Sequence, residues 1–454
     1  MISKLNLKAG NWFIIIASLV LYGYHNLLSL AWLAGSILFT YLFSVLITKK
    51  PSKGKLFLVI SVSANVLLLI AFKIPGFFEV KADNIESFFM PLALSFITFS
   101  QIAYLVNVYK KSIKNYGLQE YLLYVTYFPK LLMGPITEPG DLIDQFYKKK
   151  KKKPDIKHIV AGLRLMSFGL FKKVILADTF AKAVNWGFVN PSVLSSADIV
   201  LVMLCYTFEI YFDFSGYSDM AIGLSMILNI NLPINFNSPY KSTSIQDFWK
   251  RWHISLTSFL TKYVYIPLGG NRKGTFRTYI NILIVFLVSG FWHGSNWTFV
   301  LWGVLHGLLM IYDRYAYKFR QKLSDLFTWI CTFISINILW LLFRAESIKQ
   351  WWTMLGVMIK CESTALSQEL VSIFELSEIR LLLNTFFKED LLSTLHLLYP
   401  QIFIIAAFII CLVPKNAYET KKDRSVAGAV LAALALVFGI LGMVGESTFI
   451  YQNF

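Results

Sequence analysis

Three of the chain's six histidines, His253, His293 and His306, lie in one largely apolar stretch. Other groups able to do chemistry stand near them. Asp213, Ser215 and Asp219 fall within Tyr211 to Asp219, Lys250 and Arg251 precede His253, and Tyr265 to Arg272 follows it. Trp292 and His293 sit between Gly290 and Gly294. Ionisable groups inside a membrane are expensive, so those retained there point to function. An isolated imidazole, with no Ser or Cys nucleophile motif beside it, suits general-base catalysis. Such a base takes the proton of an alcohol as the alcohol attacks an activated acyl group. The cell's acyl thioesters are cytosolic and anionic. Lys250, Arg251, Lys262 and Arg272 offer cations for their phosphates.

His293 lies roughly sixteen residues beyond Arg277, or about 24 Å along a helix at 1.5 Å per residue. That depth is beyond the bilayer midplane. Gly290 and Gly294 let a backbone or a substrate come close, and Gly294 ends the helix. His253, after two basic residues, reads as an interfacial or cavity-mouth group. His306 is expected to pack or hydrogen-bond between helices. His25 and His396 fall near interfaces, and His158 starts a helix. The histidine spacings match neither HExxH nor an i, i+4 pair, so no metal site is expected. Gly269 to Thr275 is glycine-rich but lacks the Gly-Lys-Ser/Thr ending of a phosphate-binding loop.

The elements that must position these residues are membrane helices. Of 454 residues, 56% are apolar and 15% charged, against about 25% charged in soluble domains. Mean hydropathy is +0.58. These figures exclude a soluble domain, a disordered chain and a disulfide-stapled secreted module. The four cysteines are scattered singly, which predicts no disulfide framework. Spans of about 20 apolar residues are sought. They are expected at 11–24, 28–48, 56–74, 88–109, 158–178, 197–228, 279–293, 297–312, 326–343, 402–412 and 427–444. Tyr121 to Ile136 and Ile254 to Leu268 are short and broken by Pro and Gly. Such segments survive at membrane depth only where protein or a water-filled cavity shields them. The expected fold is therefore an all-α polytopic membrane protein of about 11 transmembrane helices plus re-entrant segments. No cleavable signal is expected at the N-terminus.

The net charge of +17 comes in short clusters between spans, including Lys148 to Lys153, and not as a nucleic-acid-binding surface. The positive-inside rule places those clusters in the cytoplasm, where they also meet anionic lipid headgroups. The acidic loop at about 361–395 and the tail at about 445–454 are then extracytoplasmic.

At these residues the sequence resembles the membrane-bound O-acyltransferase (MBOAT) family, in particular its bacterial AlgI-like branch. The likeness is carried by Pro91 to Phe99, Phe128 to Ile136, Gly169 to Asp178, Tyr211 to Asp219, Phe248 to Ser255, Tyr265 to Arg272 and Phe291 to His306. Leu342 to Ser347 and the final Phe-Ile-Tyr match as well. The resemblance implies one domain over 1–454, a ring of helices around a tunnel open on both faces. It implies an acetyl-CoA-dependent O-acyltransferase of the bacterial cytoplasmic membrane, with no permanently bound cofactor. His293 maps onto the family's catalytic His and His253 onto its second motif position. Trp292 accompanies His293. Asp213, Lys250, Arg251 and Arg272 are expected on the substrate path. The implied partner is an extracytoplasmic protein of the SGNH-hydrolase type, with a cell-surface polysaccharide as the final acceptor. The ending Phe449, Tyr451, Phe454 is similar to a branch motif whose Tyr is a proposed acyl relay, so Tyr451 is a candidate catalytic residue. Two other functions compete: D-alanyl transfer to teichoic acid, and a polysaccharide or lipid transporter without chemistry.

Overall fold

The computed structural model describes residues 7–73, 91–148, 155–361, 363–375, 398–419, 425–443 and 449–450. All regular structure among them is helical. In chain order the helices are α1 (Leu7–His25), α2 (Leu27–Lys49), α3 (Gly54–Lys73), α4 (Leu94–Tyr109), α5 (Leu118–Thr126), α6 (Phe128–Leu131) and α7 (Pro139–Lys148). Then come α8 (Ile156–Phe171), α9 (Asp178–Val189), α10 (Ser196–Ile227), α11 (Ile245–Arg251), α12 (Ile254–Leu260), α13 (Thr275–His293) and α14 (Trp297–Tyr315). The last are α15 (Tyr317–Arg320), α16 (Asp325–Arg344), α17 (Ile348–Lys360), α18 (Gln368–Ile373), α19 (Tyr399–Leu412) and α20 (Val426–Leu441). Five stretches are long and apolar enough to cross a membrane: Leu27–Lys49, Pro51–Lys73, Ser196–Ile227, Thr275–His293 and Asp325–Arg344. Shorter apolar helices α4, α19 and α20 add to them, as expected of a polytopic membrane protein. Large apolar side chains of α1 to α3, α19 and α20 face outward, where lipid rather than water would cover them.

The expected long span at 158–178 is longer in the structure. Helix α8 passes through a π-helical turn, Lys172–Ala177, directly into α9. A π turn adds a residue to the helical register and often marks a functional position. Here it carries the adjacent Lys172 and Lys173.

Helix α10 is the centre of the fold. At 32 residues and 1.5 Å per residue it is about 48 Å long. A capping box starts it. Ser195 accepts from the Asp198 amide, and the Asp198 carboxylate accepts from the Ser195 amide. Buried residues line most of its length, polar ones included. It crosses α8 at two pairs of glycines. A Cβ on Gly169 would stand 2.6 Å from the Gly216 carbonyl oxygen, and one on Gly162 2.5 Å from that of Gly223. Both pairs are spaced by seven residues, so one stripe of each helix meets backbone to backbone.

The two broken segments also meet. Tyr127 interrupts α5 and α6, and Trp252 and His253 interrupt α11 and α12. Ser255 Oγ accepts the Ile136 amide at 3.0 Å and donates to Asn235 Oδ1 at 2.6 Å. Helix interruptions leave orphan backbone groups, and inside apolar surroundings these must find partners. Ser255 and Asn235 supply them.

Candidate active site

His253 and His293 both approach one indole. The Trp292 ring centroid lies 4.6 Å from that of His293 and 6.1 Å from that of His253. Both imidazoles are buried, at 3% and 1% exposure. Trp292 is itself stacked on Phe99 at 5.3 Å and meets the edge of Phe96 at 5.9 Å, both from α4. Phe96 and Phe99 thus hold the indole that both histidines meet.

His293 is the last residue of α13, and Gly294 continues in extended conformation. Its imidazole packs against Trp302 at 5.2 Å and Phe343 at 5.0 Å. The glycines around it serve the backbone rather than a substrate. A Cβ on Gly290 would lie 2.4 Å from the Phe299 carbonyl oxygen, and one on Gly303 2.4 Å from that of Phe286. A Cβ on Gly294 would lie 2.2 Å from the Phe299 ring. Helices α13 and α14 therefore touch closely where His293 is carried.

His253 adopts a left-handed backbone, φ 43°, just before α12. Such a conformation is uncommon outside glycine and costs of order 1–3 kcal/mol. The surrounding loop holds it in place. The Ile254 amide donates to the Asn235 carbonyl at 2.9 Å, and the Asn237 amide to the Arg251 carbonyl at 3.0 Å. The ring faces Phe214 of α10 at 4.6 Å. Asn tolerates this backbone better than most residues, so His253→Asn removes the imidazole while keeping the turn. Near-normal protein in membranes is expected, with acyl transfer lowered about a hundredfold if the ring takes part in catalysis. Equal transfer by His253→Asn and wild type would confine His253 to a structural role.

His306 does what a packing histidine should. Trp249 Nε1 donates to its Nδ1 at 3.3 Å, and it lies against Trp302. His158, at the start of α8, shares a 2.8 Å hydrogen bond with Asn229.

The cations expected on the donor path have separate settings. Lys250 and Arg272 are exposed. Arg251 forks onto its own helix, with Nε 2.9 Å from Asp247 Oδ1. Lys262 pairs with Glu138 at 2.8 Å beside a polar cleft lined also by Asn107, Lys114 and Asp144. Asp213 is buried, and both its oxygens are engaged: Lys173 Nζ at 2.7 Å and the Ile450 amide at 3.1 Å. Tyr451 lies outside the described residues, as do His396, Lys149 to Lys153 and most of the 361–395 loop.

Two residues at the site escaped sequence reasoning. Lys73, the buried last residue of α3, donates from Nζ to the backbone carbonyl of Trp292, next to His293. That carbonyl belongs to the last turn of α13, where helix carbonyls lack partners. Lys130, also buried, lies in the first broken segment with its Nζ 4.4 Å from the Tyr124 ring centre and 3.4 Å from Ser100 Oγ. The signal was present for both: a lysine inside an apolar run.

The apolar helices and the two buried histidines are compatible with the membrane-bound O-acyltransferase (MBOAT) family. The chain belongs to that family, whose model, described as membrane-bound O-acyltransferase, matches residues 11–347. Among its relatives is the peptidoglycan O-acetyltransferase of Helicobacter pylori, 40% identical over 374 residues, covering 74% of this chain and 71% of that protein. The probable alginate O-acetylase AlgI of Pseudomonas aeruginosa is 34% identical over 376 residues, covering 79% and 71%. A teichoic acid D-alanyltransferase of Streptococcus thermophilus is 27% identical over 280 residues, covering 57% and 65%.

Proposed function

We propose that this chain transfers an acetyl group from cytosolic acetyl-CoA across the bacterial cytoplasmic membrane for O-acetylation of a cell-surface polysaccharide. The reading is carried by the paired burial of His253 and His293 around Trp292. The 40% identity to a peptidoglycan O-acetyltransferase favours peptidoglycan as the acceptor class and acetyl as the group moved.

In this reading His293 is the general base. It takes the proton of an acceptor hydroxyl as the oxygen attacks the thioester carbonyl carbon. The C–S bond then breaks, and the thiolate of CoA recovers the proton. His253 orients the thioester carbonyl. In this reading the donor reaches the pair from the basic side. Tyr451 carries the acyl group outward, and an SGNH-hydrolase-type partner completes the transfer to the polysaccharide.

The test is direct. Purified protein in proteoliposomes, given acetyl-CoA labelled in the acetyl group, is expected to release CoA thiol and pass label to a hydroxyl acceptor. Cells lacking the protein should lose O-acetyl groups from their surface glycan by mass analysis. No thiol release together with unchanged glycan acetylation would leave a transporter as the better reading.

A further inference from the structure

The polar cluster around Asp213 stands apart from the histidine pair. Asp213 and Lys173 are 1% and 3% exposed. Lys173 Nζ lies 2.7 Å from Asp213 Oδ1 and 2.8 Å from Asp178 Oδ1. One ammonium therefore faces two carboxylates. Glu209, also buried, lies one turn away on the same face of α10, and its Oε2 has no hydrogen-bond partner among the described residues. The cluster leaves one buried acceptor, Glu209 Oε2, unfilled among the described residues. Buried acceptors of this kind require donors.

One donor comes from the far end of the chain. The Ile450 amide donates to Asp213 Oδ2 at 3.1 Å. The preceding residue adds two contacts. The Phe449 ring centre lies 4.5 Å from Lys173 Nζ and 5.3 Å from the Tyr217 ring centre, on the same α10 face. Tyr217 in turn receives the Met133 amide at 3.4 Å, which ties this place to the broken segment near the histidines. A main-chain N–H satisfies the carboxylate, and an aromatic face covers the ammonium.

We propose that the Lys173–Asp213 pair is a docking seat for the chain's own C-terminal segment, and that Asp213 is a positioning residue for it. Occupation of the seat by residues 449–450 is required for acyl transfer, a clause that rests on the proposed function. The seat recognises backbone at 450 and an aromatic ring at 449. Asp213 is thereby reassigned from contact with substrate to contact with the segment that follows α20. The π turn has a reason here, because the extra residue in its register carries Lys173 onto the α10 carboxylate.

The test replaces Phe449 in the full-length membrane protein with the photoreactive aromatic benzoylphenylalanine. Illumination is expected to crosslink it to α10 and the π turn, mapping around Tyr217 and Lys173. Asp213→Ala should lower the crosslink yield about tenfold, the size of one charge-assisted hydrogen bond. Asp219→Asn, which breaks the neighbouring 2.7 Å pair with Lys172, should leave it near wild type. Crosslinks mapping elsewhere, or equal losses in both variants, would overturn the seat. Deletion of residues 449–454 should reduce acetyl transfer at least tenfold at equal protein amount, and unchanged transfer would overturn its role in the reaction. The crosslink does not depend on activity. A crosslinked but inactive wild type would sink the acyltransferase reading and leave the seat standing.

Discussion

His293→Ala is expected to abolish acetylation of the surface glycan while leaving protein in the membrane. General-base catalysis contributes about 10²- to 10⁴-fold, so the purified variant should lose at least two orders of magnitude in kcat/KM. The structure explains why the fold should survive. The imidazole sits among Trp292, Trp302 and Phe343, and those rings keep their other contacts when it is removed. Trp302 still meets Trp340, and Phe343 still meets Phe299. A void costs about 24 cal/mol per Å³ of residual cavity, which a large polytopic core tolerates. His306→Gln is the contrast. It keeps an acceptor for the Trp249 indole and should lose far less activity. Equal activity of the His293 and wild-type proteins would remove the histidine from the mechanism.

Gly290→Ala is expected to harm catalysis more than it harms folding. Its new Cβ would stand 2.4 Å from the Phe299 carbonyl oxygen, a backbone atom that cannot swing aside. Helices α13 and α14 must separate or rotate where His293 is held. Overpacking of this kind costs about 1–3 kcal/mol. A displacement of about 1 Å at a catalytic group can cost about a hundredfold in rate. Measured in detergent, kcat/KM should fall about a hundredfold while thermal stability falls modestly. Gly356→Ala is the control, because nothing lies within 4 Å of its Cβ position. If Gly290→Ala and Gly356→Ala transfer acyl groups equally, α13–α14 contact does not set the position of His293.

Much of the fold was legible because helices in a membrane are local objects. Hydropathy marks where they run, and the structure adds the caps, Asn26 before α2 and Ser195 before α10, that fix where they start. The ends were less legible. The span expected to finish at Asp178 continues to Val189, because a π turn has no hydropathy signature. The amphipathic α17 was missed for a related reason. It buries Trp351 and Met354 on one face only, so it lacks the continuous apolar run of a span.

The site divides along the same line. The sequence by itself determined that His293 lies deep in an apolar segment, because its cost there demands a reason, whereas His253 read as an interfacial or cavity-mouth group and only the structure buried it. Only the tertiary structure decided that both rings meet Trp292, that Lys73 from α3 caps the helix end beside His293, and that Arg251 is held by Asp247. It also placed both Asp213 oxygens on Lys173 and the Ile450 amide. Cost is a property of one residue and its neighbours in sequence. Compensation comes from side chains and amides far along the chain, and packing alone chooses them.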